Sequence, residues 1–449
     1  MSSTKQGRLY VLGMAFIASL VGLMFGWFMS IISGAEKPIQ SEFALDGFWH
    51  GLTVSIAMFG TVLGAITVGK PADALGRKKV LVLLTVIFFI GSVGGAVAPN
   101  WHVLVASRFF GGLAVGASSV MGPMYIAEIA PAHIRGRMVM LFQFNIVLGS
   151  LLAFVSNYLV ANWVGPEAWR VMLGIVAAPA FVSFLLMLAI PQTPRWLVLK
   201  QRHQEARDVL LRLGYPEPEG LINEIHDSLK QTSPRKKESI FARKYRIPVL
   251  LVLLIAVFNQ LSGIPVVMNY SPRIFELAGF AAESALLQAI AVGVTNLVFT
   301  ILAMFLIDRF GRKKLLIGGS VGMIVFLGLI SMTLLSPTLG NYLLVVYFIG
   351  FIAFFASSQG AVVWVFVSEI VPNRVRAKGQ SIGSFGLSLT SALLTWVFPY
   401  ITQSVAHGGS IIFGTFAVLM AVQLVVFVLF FPETKGRSLE QIQQDLGID

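Results

Sequence analysis

The chain contains no cysteine, only six histidines, and a charged fraction of 12% across 449 residues. Without cysteine neither a disulfide framework nor a thiolate metal site can form. The histidines are scattered, with no H-x-x-x-H pair of the kind a helical metal site would use. Acidic residues are also scarce: Asp and Glu number 21 against 33 Lys and Arg, a formal charge of +12. That excess suits either nucleic-acid binding or loops held at an anionic membrane surface. What fills the chain instead is hydrocarbon. Hydrophobic residues make up 56% and the mean hydropathy is +0.81, outside the balance of a soluble domain.

Apolar segments long enough to cross about 30 Å of hydrocarbon begin near residues 9, 49, 79, 102, 138 and 170, and again near 247, 284, 315, 341, 378 and 409. The pattern predicts an all-α membrane protein of twelve helices in two sets of six. The segment after Lys5 and Arg8 runs past the length of a signal peptide and has no convincing small-residue cleavage site, so it reads as a retained first span. The expected organisation is a first bundle over 1–190, a polar linker over 191–246, a second bundle over 247–431 and a tail over 432–449. Within the linker Leu221, Ile225 and Leu229 recur every four residues, which predicts short amphipathic helices at the membrane surface.

Basic residues decide the orientation. One set of loops carries Lys70, Arg77, Lys78, Lys79, Arg135, Arg137, Arg309, Arg312, Lys313, Lys314, Arg374, Arg376 and Lys378, whereas the other offers Lys37, Arg170 and Arg273. By the positive-inside rule both termini and the linker are expected to be cytoplasmic, most economically at the cell membrane. The excess charge is then explained by topology, and no nucleic-acid partner is expected.

The two sets of helices are copies. GKPADALGRKK from Gly69 is echoed by IDRFGRKK from Ile307, EIAPAHIRGRM from Glu128 by EIVPNRVRAKG from Glu369, and PQTPRWL from Pro191 by PETKGRSL from Pro432. Three echoes in one order predict two pseudo-symmetric bundles that pivot about a central cavity. Asp73 with Arg77 and Asp308 with Arg312 sit in tight turns opened by Gly76 and Gly311. With Glu128 and Arg135, and Glu369 and Arg376, they form clusters expected to latch the two halves at the cytoplasmic side and to open at modest cost.

These motifs, with FGWFMSIISG, RFFGGLAVGASS, NQLSGIPVVMNYSP and WVFVSEIVPNRVR, span nearly the whole chain. In that order they resemble the sugar porter branch of the major facilitator superfamily. The resemblance implies alternating access, a monosaccharide or similar polyol as substrate, a lipid bilayer as surroundings, no cofactor or metal, no catalysis, and a monomer. A sugar site needs amides that both donate and accept, and an aromatic face. The positions matching the family's motifs are Gln143, Asn259, Gln260, Asn296 and Trp364, with Gln359, Asn269 and Tyr270 as further candidates. Each amide alone is equally an interhelical packing group. Pro265 stands where many relatives carry a further amide, and it is expected to loosen helix 7. In helix 11, Leu387, Ser388 and Ser391 make the pocket less polar and less bulky than usual.

Proton symporters of this family carry an acid in helix 1 opposite an arginine in helix 4. Here the acid's position is Phe28, while Arg108 is retained. Asp73, Glu128, Asp308 and Glu369 stand at cytoplasmic ends, and no carboxylate or histidine is expected near a helix centre. A coupling site needs a group that gains and loses a proton, so the expectation is facilitative uniport, with symport of a sugar, polyol or other hydroxylated solute as the alternative. A channel would need more polar groups at the centre. A nutrient sensor would usually carry a longer tail, and an intramembrane enzyme would need a nucleophile pair or metal cluster.

Overall fold

The computed structural model describes residues 5–131, 134–231, 240, 242–335, 341–372 and 375–435. Twelve helices in it are long and apolar enough to cross a bilayer, and no strand occurs among the described residues. Spans 1 to 6 are Leu9–Glu42, Gly47–Thr67, Arg77–Ala96, Trp101–Ile129, Arg135–Val164 and Ala168–Ala189. Spans 7 to 12 are Arg243–Leu277, Ala282–Ile307, Arg312–Leu335, Tyr342–Val367, Lys378–Ser404 and Gly408–Phe430. The face holding the start of span 1 and the end of span 12 is called the terminal face below, and its opposite the distal face. Three linker helices, Pro194–Leu199, His203–Arg212 and Pro218–Gln231, lie at the terminal face. Ala206, Leu210 and Leu213 bury their apolar stripe, and the Trp196 indole ties the linker to the Asp73 carbonyl at 3.1 Å.

Four spans are broken. Span 6 divides into Ala168–Ile175 and Ala177–Ala189. Span 1 divides into Lys5–Ser30 and Ile32–Glu42, span 7 into Arg246–Leu261 and Ile264–Leu277, and span 10 at Ser358, whose φ of −121° and ψ of −87° leave the helical region. The break in span 7 falls at Gly263, which takes φ +88°; a Cβ there would also stand 2.3 Å from the Phe416 ring. Pro265 does not cause this break. It lies two residues beyond, in the first turn of the second piece, where its missing N–H has no carbonyl to serve and its fixed φ suits a helix start.

The duplication seen in the sequence is repeated in detailed geometry. Gly76 and Gly311 both take φ +87°, with ψ 159° and 164°. Each turn is closed by a side chain from after the sixth span of its own half. Gln192 accepts from the Lys78 amide at 3.1 Å, and Glu433 accepts from the Arg312 and Lys313 amides at 3.0 and 3.2 Å. The Lys78 and Lys313 ammonium groups then reach the carbonyls of Leu188 and Val428 at 2.8 and 2.9 Å.

Within the first half span 1 packs on span 5 and span 2 on span 4; within the second, span 9 packs on span 12 and span 7 on span 11. The halves meet through spans 2 and 11, spans 5 and 8, and the second pieces of spans 1 and 7. The polar contacts that join them run from mid-membrane to the distal face. Ser391 contacts Met58 Sδ at 3.2 Å, the Trp396 indole donates to the Phe48 carbonyl at 3.1 Å, and Lys37 pairs with Glu276.

Candidate functional site

At the terminal face the two charge clusters are closed within their own halves. Arg77 is buried and donates to Glu128 Oε1 at 3.1 Å, to Asp73 Oδ1 at 3.3 Å and to the Ala72 carbonyl at 3.1 Å. Arg312 donates to Glu369 Oε1 at 2.9 Å and to the Ile307 carbonyl at 3.4 Å, and the Thr434 hydroxyl donates to the other Glu369 oxygen at 2.5 Å. These bonds staple span 3 to span 4 and span 9 to span 10. In this conformation the described members of each cluster brace their own half, and the ion pairs of Arg77 with Asp73 and Glu128, and of Arg312 with Glu369, each lie within one half. Arg135 is exposed and has no ion pair among the described residues. The side chains of Asp308, Arg376 and Trp364 lie outside the described residues.

The central amides fall into two groups. Gln260 Nε2 donates to Asn259 Oδ1 at 2.6 Å, and both residues are buried in the last turn before the break in span 7. Gln359 is buried at the break in span 10; its Nε2 meets Met420 Sδ at 3.8 Å, and its Oε1 has no partner. Asn269 donates to the Pro265 carbonyl at 2.7 Å, and the Tyr270 hydroxyl to the Thr395 carbonyl at 3.0 Å, with the Tyr270 ring 4.9 Å from that of Phe398. Those two side chains are thus engaged inside the second half.

Gln143 and Asn296 differ from all of these. Both are half-buried on the adjoining spans 5 and 8, and neither amide bonds to another described residue. Spans 5 and 8 touch where Gly293 meets Leu151 and Phe154. Counting helical rise from that point toward the terminal face puts Asn296 and Gln143 roughly 10 Å apart in depth. The structure therefore brings free amides of the two halves to the same inter-half seam.

Arg108 is fully buried in span 4. Its NH1 donates to the Phe28 carbonyl at 2.9 Å, and its guanidinium carbon lies 4.7 Å from the Phe28 ring centroid. Phe28 also packs edge-on against Phe88, 5.9 Å between centroids. The remaining Arg108 donors, Nε and NH2, are buried without a protein partner.

Sequence reasoning missed a second set of ionisable residues. Glu36 and His50 are 1% and 0% exposed, near the distal ends of spans 1 and 2 rather than at a helix centre. His50 Nε2 lies 2.6 Å from Glu36 Oε2. Arg273, from the other half, donates from Nε to Glu36 Oε1 at 2.8 Å and from NH2 to Gln40 Oε1 at 2.6 Å. About 20 residues suffice to cross a bilayer. Span 1 instead continues for 34 residues, and its second piece turns into the contact with span 7. The signal available in the sequence was the proximity of an acid and a histidine to two helix ends on the face poor in charge.

The family described as "Sugar (and other) transporter" matches residues 14–446. A probable metabolite transport protein of Bacillus subtilis, CsbC, is 35% identical over 449 residues, covering 98% of this chain and 95% of that protein. The D-xylose-proton symporter of Escherichia coli K12 is 33% identical, with coverage of 98% and 96%. Among solved structures, the inward open conformation of the xylose transporter XylE from E. coli superposes with a TM-score of 0.85 at 30% identity, covering 97% of this chain and 99% of that one.

Proposed function

Because the chain belongs to the sugar transporter family of the major facilitator superfamily, we propose that it carries a monosaccharide by alternating access, as a facilitative uniporter. Transporters of this architecture bind substrate near the membrane midplane, where helices are interrupted and backbone and side-chain groups are free to serve a ligand. The breaks at Gly263 and Ser358 beside Gln260 and Gln359, and the unpartnered amides of Gln143 and Asn296, support a polyhydroxyl site at that depth. We assign Gln143, Asn296, Asn259, Gln260 and Trp364 to substrate, and Gln359, Asn269 and Tyr270 to its margins. The contacts at the distal face and the likeness to an inward open relative support reading this conformation as open toward the terminal face. The basic residues of that face support placing it in the cytoplasm, with the protein acting as a monomer in the cell membrane.

The observation that carries uniport is the environment of Arg108. Its guanidinium meets a carbonyl and an aromatic face rather than a carboxylate, and Phe28 offers no proton to exchange. The symport alternative is kept by a specific similarity, since one relative at 33% identity is named a D-xylose-proton symporter. Proteoliposomes decide between them. Uniport predicts that an inward proton gradient leaves the final internal sugar concentration equal to the external one; accumulation above that level establishes symport.

A further inference from the structure

The group at the distal face joins three ionisable side chains from opposite halves in a nearly water-free setting. Glu36 is 1% exposed and His50 0%, and both ride on the first half. Arg273 rides on the second. It reaches Glu36 Oε1 from Nε at 2.8 Å and Oε2 from NH2 at 2.8 Å. An ionised carboxylate can only accept, so His50 Nε2, 2.6 Å from Glu36, carries the hydrogen in this contact. With Arg273 docked, a neutral imidazole completes an electrically neutral cluster, and His50 Nδ1 is left buried without a partner.

Alternating access requires the halves to part at this face, and parting takes Arg273 away while Glu36 and His50 stay together. A partly buried carboxylate left without its cation is strongly disfavoured. One proton added at His50 Nδ1 restores neutrality in place, because the imidazolium so formed is already against the carboxylate. We propose that the Glu36–His50 pair is a proton-binding site, vacant when Arg273 closes the distal face and filled when that face opens.

The surrounding charges do not supply the missing cation. On span 1 Lys37 is committed to Glu276 of span 7, and Glu42 to Arg170 and Trp169 of span 6. Asp46 caps span 2 through the Trp49 amide. Span 7 adds the neutral Tyr270, span 5 the Asn157 amide on the Ile31 carbonyl, and span 11 Thr395.

The proton enters and leaves by one side. Tyr270 lies about one turn deeper than Arg273, with its ring 6.2 Å from His50 and 4.9 Å from Phe398. It separates the pair from the centre of the bundle. Acidity at the distal face therefore sets how often that face opens without driving sugar uphill. This inference rests on the alternating-access reading, but its test does not use transport.

The chain has no cysteine, so Val97→Cys with Tyr342→Cys, exposed positions of opposite halves at the distal face, accepts a pair of spin labels without further substitution. Electron–electron distances are measured in nanodiscs as the pH falls from about 8 to about 5. The expected result is a shift from short to long distances, with the open-to-closed ratio rising by up to about tenfold per pH unit, as one linked proton requires. His50→Gln keeps a donor on Glu36 but cannot take the proton, and is expected to flatten the response. Glu36→Gln, which also loses the attraction of Arg273, is expected to flatten it with the open form already enriched. A wild-type distance distribution independent of pH, or a full response in either folded variant, overturns the proposal. A normal pH response in a protein that moves no sugar would instead count against the transport reading alone.

Discussion

The ring of Phe28 and the guanidinium of Arg108 stand face to face, 4.7 Å from centroid to carbon, and the Phe28 carbonyl accepts from that guanidinium at 2.9 Å. Phe28 thus presents two groups to Arg108, a carbonyl and a ring face. Neither equals a carboxylate. The carbonyl takes one donor, two others remain unpartnered, and a cation–π contact contributes about 0.5–2 kcal/mol.

It follows that Arg108→Met should not lower thermal stability. Removing two buried unsatisfied donors relieves about 1–3 kcal/mol each, which offsets the lost bond and ring contact. The expected melting midpoint in detergent is equal to or above that of the wild type; a fall of many degrees would show that Arg108 has a partner of greater worth.

Gln143→Ala and Asn296→Ala should separate binding from folding. Neither amide bonds to another described residue, so the melting midpoint should stay within a degree or so. Each lost hydrogen bond to sugar is worth about 0.5–1.5 kcal/mol, a few-fold to about tenfold in Kd. Isothermal titration with a panel of hexoses, pentoses and polyols reads this directly, and unchanged affinity in both variants removes them from the site.

Closure at the distal face includes a close approach of the two halves at Gly51. A Cβ on Gly51 would lie 2.0 Å from the carbonyl oxygen of Trp396. Gly51→Ala should leave each half folded while penalising the closed distal face by about 1–3 kcal/mol, lowering its weight relative to the open form about fivefold or more. Expression and melting should be near normal and exchange of labelled sugar slow; wild-type exchange rates would show that the approach relaxes freely.

The paired turns at the terminal face predict an ordered difference in stability. Glu433 accepts from two backbone amides at the start of span 9, and Gln192 from one at the start of span 3. Removal of such a cap costs about 0.5–2 kcal/mol, more for a charged acceptor at a helix N-terminus. Thermal denaturation should therefore show Glu433→Ala losing more than Gln192→Ala, and equal losses would contradict the assignment.

Legibility from sequence followed the range of the interaction. The twelve spans depend on local runs of apolar residues, and the start of each lies within a few residues of its expected place. The repeat was legible because Gly76 and Gly311 need the same left-handed turn, which only a glycine adopts without strain. The bonds from Glu36 to Arg273, and from Lys37 to Glu276, were not legible. They depend on span 1 continuing beyond Ile31 and on residues far apart in the chain meeting across the two halves. For the same reason Glu128 and Glu369 were expected to bridge the halves, although their nearest arginines lie within their own half.

The claim at the centre is that a saturable sugar site alternates between the two faces, and counterflow of labelled substrate tests it most directly. Proteoliposomes loaded with unlabelled sugar and diluted into a trace of the labelled form should show labelled sugar rising transiently above its external concentration. The rise should be abolished by a competing sugar and strongly reduced in Gly51→Ala. Uptake that grows linearly with concentration, shows no overshoot and ignores competitors would contradict the account.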